Sequence, residues 1–271
     1  VRTNNNFNFS KVDTENIDNP DVSRLSTVHF FIENPGMKSF TFQASTILGE
    51  IIFRQTGVQN GVTQYLFTGE KSEIVSSVAG KPIIWYDTFL EYIPVGFTHI
   101  LPKGLDHILF VLGLLFLTPK FYPLLLQISI FTLAHTITLA ISSLKIITIS
   151  SKIVEPLIAA SIIYIAVENF FNSSLTKNRS ITIFFFGLLH GLGFASVLSS
   201  FGLPNTNFVW ALVGFNIGVE IGQITIIFVF YVICIYWIKT KNYYTKFISM
   251  PGSAIIAAIG AFWFFERTLL T

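Results

Sequence analysis

Histidines and carboxylates occur in this sequence inside apolar stretches, where ionisable side chains are rare. Four of the five histidines lie between residues 99 and 190, among runs of Leu, Ile and Phe. An ionisable side chain costs about 2.5–3.5 kcal/mol at the centre of a bilayer, so such residues are functional candidates by default. The set comprises His99, Asp106, His107, His135, Glu155, Glu168, His190 and Glu220.

The residue types in this set point to metal chemistry. Neutral imidazoles together with carboxylates suit divalent transition-metal ions such as Ni²⁺ and Zn²⁺. Cys234 is the single cysteine, which argues against a thiolate site and excludes a disulfide within the chain. The sequence contains no G-x-x-x-x-G-K-[ST] motif. We therefore predict a divalent transition metal, Ni or Zn, and any transport would be channel-like, secondary or driven by a separate subunit.

Four of these side chains fall near the middle of different apolar segments. At about 1.5 Å per residue, His107 and His190 lie roughly 15 Å, and His135 roughly 14 Å, from the end of their segments. Glu220 lies roughly 18 Å from the start of its own segment. The matched depths predict one shared site near the membrane midplane.

Three further residues are predicted to support this site. Offsets of four and seven residues return to the same side of a helix, so Asn216 and Gln223 share a face with Glu220. Glu155 precedes a proline at the start of another segment, where a carboxylate also suits the helix dipole. On the opposite face of the Glu220 helix, small residues predict close helix packing. These are Gly214, Gly218 and Gly222.

The candidate residues require a set of helices to position them. Six apolar segments follow Tyr86, each near the ~20 residues that cross a bilayer. The first contains prolines and a glycine and is predicted to be broken, with a regular helix from Leu105 to Leu117. The segments are 91–118, 121–144, 153–172, 180–201, 208–238 and 251–270.

The composition agrees with a membrane protein. The chain is 52% hydrophobic and 12% charged, whereas soluble proteins carry about 25% charge. This excludes an ordinary soluble enzyme. The net charge of +2 is too small to indicate a nucleic-acid partner. The predicted partners are a metal ion and the lipid bilayer.

The first part of the chain has a different pattern. Between Thr27 and Tyr86, short β-branched and aromatic runs alternate with turn residues, which predicts strands. The predicted fold is a polytopic α-helical membrane bundle of about six helices, preceded by a small exported antiparallel β-domain. The predicted domains are 1–86, extracytoplasmic and β-rich, and 87–271, the transmembrane domain.

The loop charges predict the orientation. Alternate loops carry six basic residues against two, and basic loops stay in the cytoplasm. This places the protein in the cell membrane with its N-terminal domain outside. The sequence begins at Val1 without an apolar leader, so we expect either a removed signal peptide or a fragment.

Five sequence elements resemble those of a known family. They are GFTHILPKGLDHILFVLGLL, FTLAHTITL, VEPLIAASI, FGLLHGLGFA and FNIGVEIGQ. In this order, from about Gly96 to Gln223, they resemble the HupE/UreJ family, in particular its second branch. The resemblance implies an integral membrane protein connected with hydrogenase and urease maturation and with nickel uptake. It also implies metal-handling roles for His99, Asp106, His107 and His190.

Three functions are compatible with these features. The first is a nickel-type divalent cation permease, or a metal-handling accessory protein. In it, Asp106 and His107 would capture the cation. His135 and His190 would complete its coordination, and Glu220 would balance charge or relay protons. The second is an intramembrane zinc hydrolase with an activated water. The third is a non-catalytic membrane subunit that binds a partner protein through the β-domain. Whether the protein is an enzyme stays open.

Overall fold

The computed structural model divides into two compact units. One comprises Val1–Glu91 with Pro204–Trp210, and the other comprises Tyr92–Leu203 with Ala211–Thr271. The predicted domain boundary after residue 86 stays a prediction. The residues that the structure describes are 9–16, 26–32, 39–43, 51–55, 63–72, 75–76, 84–147, 149–172, 174–176, 178–201, 207–238 and 241–269.

Six strands of the first unit form three separate antiparallel pairs. Strand β1 (Phe9–Asn16) pairs with β2 (Ser26–Ile32), β3 (Ser39–Phe40) with β6 (Val75–Ser76), and β4 (Ile51–Arg54) with β5 (Thr63–Leu66). Within the described residues, no sheet has more than two strands. The predicted β-domain is therefore wrong for this part of the chain. Alternation and turn residues indicate individual strands, whereas a domain requires pairing of several strands over a shared core.

The second unit and its borders are helical. The elements are α1 (Trp85–Ile100), α2 (Leu105–Leu117), α3 (Phe121–Ser143), α4 (Ser151–Phe171), α5 (Arg179–Phe201), α6 (Phe208–Ile238), α7 (Lys241–Tyr244), a π-helical turn (Thr245–Ser249) and α8 (Met250–Leu269). Helix α2 begins and ends at the predicted residues.

The number of candidate membrane spans is smaller than predicted. Four helical stretches are long and apolar enough to cross a bilayer, namely α3, α4, most of α6, and the π-helical turn with α8. The pair α1 and α2, bent by 72°, would be a fifth. In α5, the described stretch Arg179–Gly193 is an apolar helix shorter than a full span. The predicted six spans are thus wrong for the described residues, but the chain is a multi-pass helical membrane protein.

The break between α1 and α2 follows from its residues. Pro102 has no backbone N–H to continue α1, and α2 begins only after Gly104. A Cβ at position 104 would collide with the carbonyl oxygen of His99. Glycine therefore allows the end of α1 and the start of α2 to lie close together.

Glycines also set the closest helix contacts. A Cβ at Gly187 or Gly191 of α5 would collide with the α3 backbone, at Phe131 and His135 respectively. The residue numbers of the contacting positions increase in the same direction along both helices, so α3 and α5 are parallel. Gly218 of α6 contacts the α1 backbone in the same way. The predicted role of small residues on this face of α6 is confirmed at Gly218.

Candidate metal centre

Four imidazole rings from four helices meet inside the second unit. His99 lies in the last turn of α1, and its ring centroid lies 4.8 Å from that of His107 on α2. The His107 ring lies 5.8 Å from His135 on α3 and 5.0 Å from His190 on α5. We call these four residues the histidine cluster. Its position at the break between α1 and α2 resembles that of binding sites at discontinuous membrane helices.

Asp106 holds the ring of His107. Its Oδ1 atom accepts hydrogen bonds from the backbone N–H of His107, at 2.9 Å, and from ring atom Nδ1, at 3.0 Å. Because an ionised carboxylate only accepts, Nδ1 carries the proton and Nε2 carries the lone pair. This Nε2 atom is buried without a hydrogen-bond partner among the described residues. Asp106 therefore orients His107 so that Nε2 can bind an ion.

Ser161 of α4 performs the same role for His190. The Ser161 hydroxyl donates to the carbonyl of Ile158 at 2.7 Å, and its oxygen lies 3.2 Å from His190 Nε2. The single hydroxyl hydrogen is already donated, so Nε2–H of His190 must be the donor to Ser161. Atom Nδ1 then carries the lone pair, and within the described part of the chain it has no hydrogen-bond partner.

His135 completes the buried core of the cluster. Its side chain is fully buried near that of Asn216 on α6, and among the described residues neither ring nitrogen of His135 has a hydrogen-bond partner. Asn216 also donates from Nδ2 to the carbonyl of Leu212 at 2.8 Å. The predicted supporting residue Asn216 therefore lies beside the cluster.

Two groups of candidate ligands share His107. In the first, ligand atoms of His99, His107 and His135 lie within 4.8 Å of one another. In the second, the same limit holds for Asp106, His107 and His190. Two ligands of one ion lie at most about 4.2 Å apart, because metal–nitrogen bonds are about 2.1 Å long. A small inward movement would therefore let either group bind a divalent transition-metal ion, and the buried lone pairs fit one.

Three phenylalanines cover one side of the cluster. The ring of Phe110 lies 4.8 Å from Phe131 and 6.1 Å from Phe186. On α2 the sequence runs from His107 to Phe110, whereas on α3 it runs from Phe131 to His135, so these helices are antiparallel. The three rings therefore lie on the same side, toward the N-terminal end of α3. We call them the Phe layer.

Glu220 and Gln223 lie in a separate polar row between α3 and α6. The hydroxyl of Ser129 donates to Glu220 Oε1 at 2.6 Å. The hydroxyl of Thr132 donates to Gln223 Oε1 at 3.0 Å. Among the described residues, neither ligand group includes Glu220. We call these four residues the α3–α6 row.

Two other carboxylates form ion pairs away from the cluster. Glu155 lies 3.7 Å from Nε of Arg267, and 44% of its side chain is exposed. Glu168 accepts from Arg179 Nη1 at 2.5 Å, and Arg179 Nε donates to Gln127 at 2.9 Å. Glu155 is thus not brought to the cluster.

Sequence reasoning missed the roles of Ser161 and of the Phe layer. A serine within an apolar helix gives no signal of its own, because its role depends on the ring that it contacts. The phenylalanines do stand three or four residues from the histidines, a spacing that a helical projection would have found.

Comparisons with known proteins identify the family. The family model described as HupE / UreJ protein matches residues 76–267, which is well over half of the 271 residues. Comparison with curated proteins and with solved structures gives no significant match. The matched range includes every helix that contributes to the histidine cluster. The chain therefore belongs to the HupE/UreJ family.

Proposed function

We propose that this protein is a permease for divalent transition-metal ions of the nickel type, and that the histidine cluster is its central binding site. The observation that carries the proposal is the pair of ligand groups sharing His107 at a helix break. Imidazole nitrogens suit Ni²⁺, Zn²⁺ and Cu²⁺. An unpaired buried polar atom costs about 1–3 kcal/mol, a cost that a bound ion would offset.

Transport explains the arrangement better than hydrolysis does. A hydrolase needs a general base or nucleophile at an open metal position. Asp106 instead orients His107, and the Ser161 hydroxyl is donated to a backbone carbonyl. Two overlapping ligand groups allow an ion to move past His107 by exchanging ligands, which a permease requires. A metal-handling accessory protein would use the same residues but would not carry the ion across.

The proposed location is the cell membrane, with the α2–α3 and α4–α5 connections in the cytoplasm. Basic residues of the sequence favour this side, since Lys120, Lys177 and three lysines at 239, 241 and 246 oppose Lys145 and Lys152. Arg179 is left out of this comparison of loop charges, because it is buried and paired with Glu168. If α1 and α2 cross as one broken span, the N-terminal residues lie outside.

Nickel uptake by the full chain in liposomes tests this proposal. We expect His107→Ala to abolish both Ni²⁺ binding and Ni²⁺ uptake, because both ligand groups contain this residue. The matched control is His29→Ala, which replaces the histidine of strand β2 and should leave both unchanged. A His107→Ala protein that takes up Ni²⁺ at the wild-type rate would disprove the proposal.

A further inference from the structure

On one side of the histidine cluster, the straight route toward the membrane surface is closed by apolar rings. The Phe layer lies there, and Phe110 and Phe131 are both almost fully buried. The Phe131 ring is only 5.0 Å from the His190 ring. Apolar constrictions exclude water and offer a cation no ligand. An ion that leaves the cluster toward the N-terminal end of α3 therefore needs another path.

The side of the bundle that faces α4 and α5 gives no such path. Beyond the Phe layer, Arg179 donates hydrogen bonds to both Glu168 and Gln127. The guanidinium neutralises the carboxylate, so the pair offers an approaching cation no net negative charge. This side therefore provides no attractive path for a divalent ion along α5.

The side of α3 that faces α6 is polar at the same level. Thr132 follows Phe131 directly, so its side chain points about 100° further around the helix, toward Gln223 of α6. Gln223 is 0% exposed, and its Nε2 atom has no hydrogen-bond partner in the described part of the chain. A buried donor of this kind is normally satisfied by water or a ligand. The α3–α6 row therefore has the character of a hydrated path around the Phe layer.

Glu220 supplies the negative charge of this row. It is half-buried, and its Oε1 atom accepts from Ser129, one turn of α3 beyond Thr132. The row offers a carboxylate, two hydroxyls and an amide oxygen, all of them oxygen ligands. Transition-metal ions bind such ligands less tightly than imidazole. A site of this composition suits an ion that has left the histidines and must next be released.

We infer that Glu220 and Ser129, with Thr132 and Gln223 beside them, form a second cation site between α3 and α6. The transported divalent ion passes through it between the histidine cluster and the membrane surface at the N-terminal end of α3. The inference rests on the proposed function, because it concerns the route of the same ion.

The variant Glu220→Gln tests the second site. Glutamine keeps the shape of the side chain and can still accept the Ser129 hydroxyl, so the fold is expected to survive. Equilibrium binding and uptake of Ni²⁺ are measured on the full chain, in detergent and in liposomes respectively. We expect uptake to fall about tenfold, as when an ion loses one charged partner, with tight binding at the histidines retained. The control is Glu266→Gln, at an exposed carboxylate of α8.

The outcomes separate this inference from the proposed function. Wild-type uptake by Glu220→Gln would overturn the second site, and so would loss of tight binding, since Glu220 would then belong to the cluster. A wild-type protein that neither binds nor takes up Ni²⁺ would refute the proposed function itself. If Glu220→Gln does not elute as a single species, Ser129→Ala replaces it. Reduced uptake with retained binding then supports the site, and unchanged uptake overturns it.

Discussion

At the scale of single residues, one hydroxyl decides which nitrogen of His190 can bind an ion. The Ser161 hydroxyl donates a hydrogen bond to the Ile158 carbonyl and accepts one from Nε2–H of His190, which leaves the lone pair of the ring on Nδ1. We predict that Ser161→Ala weakens Ni²⁺ binding about 10–100-fold, the usual effect of losing a residue that orients a metal ligand. Titration of the purified protein with Ni²⁺ measures it.

The control for this prediction is Ser249→Ala. The Ser249 hydroxyl is also buried and donates to a backbone carbonyl, that of Phe116, at 2.7 Å. Loss of this hydroxyl should destabilise the protein about as much as Ser161→Ala does, without changing the affinity for Ni²⁺. Ser161→Thr, which keeps the hydroxyl, should bind close to wild type. Equal affinities for the two alanine variants would show that Ser161 does not orient His190.

The depth of the histidines could be read from the sequence, but their hydrogen bonds could not. Rise per residue places His135 and His190 at similar depth without saying which nitrogen faces the other rings. The same estimate grouped Glu220 with them, whereas its side chain meets Ser129, which lies six residues before His135 on α3. Depth gives only the position of a residue along the membrane normal, whereas the contacts of its side chain also depend on the direction in which that side chain points. Metal binding at these residues stays a prediction.

At the scale of elements, the distance between α3 and α5 depends on two glycines of α5, Gly187 and Gly191. A Cβ at Gly191 would collide with the carbonyl of His135 and the hydroxyl of Thr138. A Cβ at Gly193, on the same helix, would meet the terminal methyl of Ile158 at 2.6 Å, which can rotate away, and Val154 Cγ1 at 3.5 Å, an ordinary contact. We predict that Gly191→Ala destabilises the protein by about 1–3 kcal/mol, the cost of overpacking. Gly193→Ala should cost less.

The comparison of these two variants isolates the packing effect. Both replacements gain the same helix propensity, about 1 kcal/mol for Gly to Ala, so their difference reports the contact with α3. The melting temperature in detergent measures it. If Gly191→Ala melts at or above the temperature of Gly193→Ala, close approach of α3 and α5 is not required.

The helices themselves could be predicted because the length of an apolar run is a local property of the sequence. Helix α2 covers the predicted Leu105–Leu117, and Pro102 with Gly104 marked the break. The 72° bend could not be predicted, since the angle depends on how α1 packs on α6 and how α2 packs on α4. The paired carboxylate and guanidinium of Glu168 and Arg179 were also missed. The sequence separates them by eleven residues in two segments, and only the packing of α4 on α5 brings them together.

At the scale of the whole molecule, the membrane character follows from composition, whereas the β-domain does not. Composition sums over residues, so a charged content of 12% beside 52% apolar residues, with apolar runs long enough to cross a bilayer, already indicates a membrane protein. Strand pairing depends on partners far apart in the chain, and the described strands form only separate pairs. The predicted count of six spans differs from the structure at α5, where the apolar helix within the described residues, Arg179–Gly193, is shorter than a full span.

The orientation of the bundle gives the last prediction. Helix α4 is a full candidate span, so Ile147 before it and Asn178 after it lie on opposite sides of the membrane. The loop charges predict that Asn178 lies in the cytoplasm. In a Cys234→Ala background, Ile147→Cys should react with an impermeant thiol reagent on intact cells, because this residue is exposed. Asn178→Cys should react only after lysis. The reverse pattern would invert the topology, and it would place the second cation site on the outer side of the histidine cluster rather than on the cytoplasmic side.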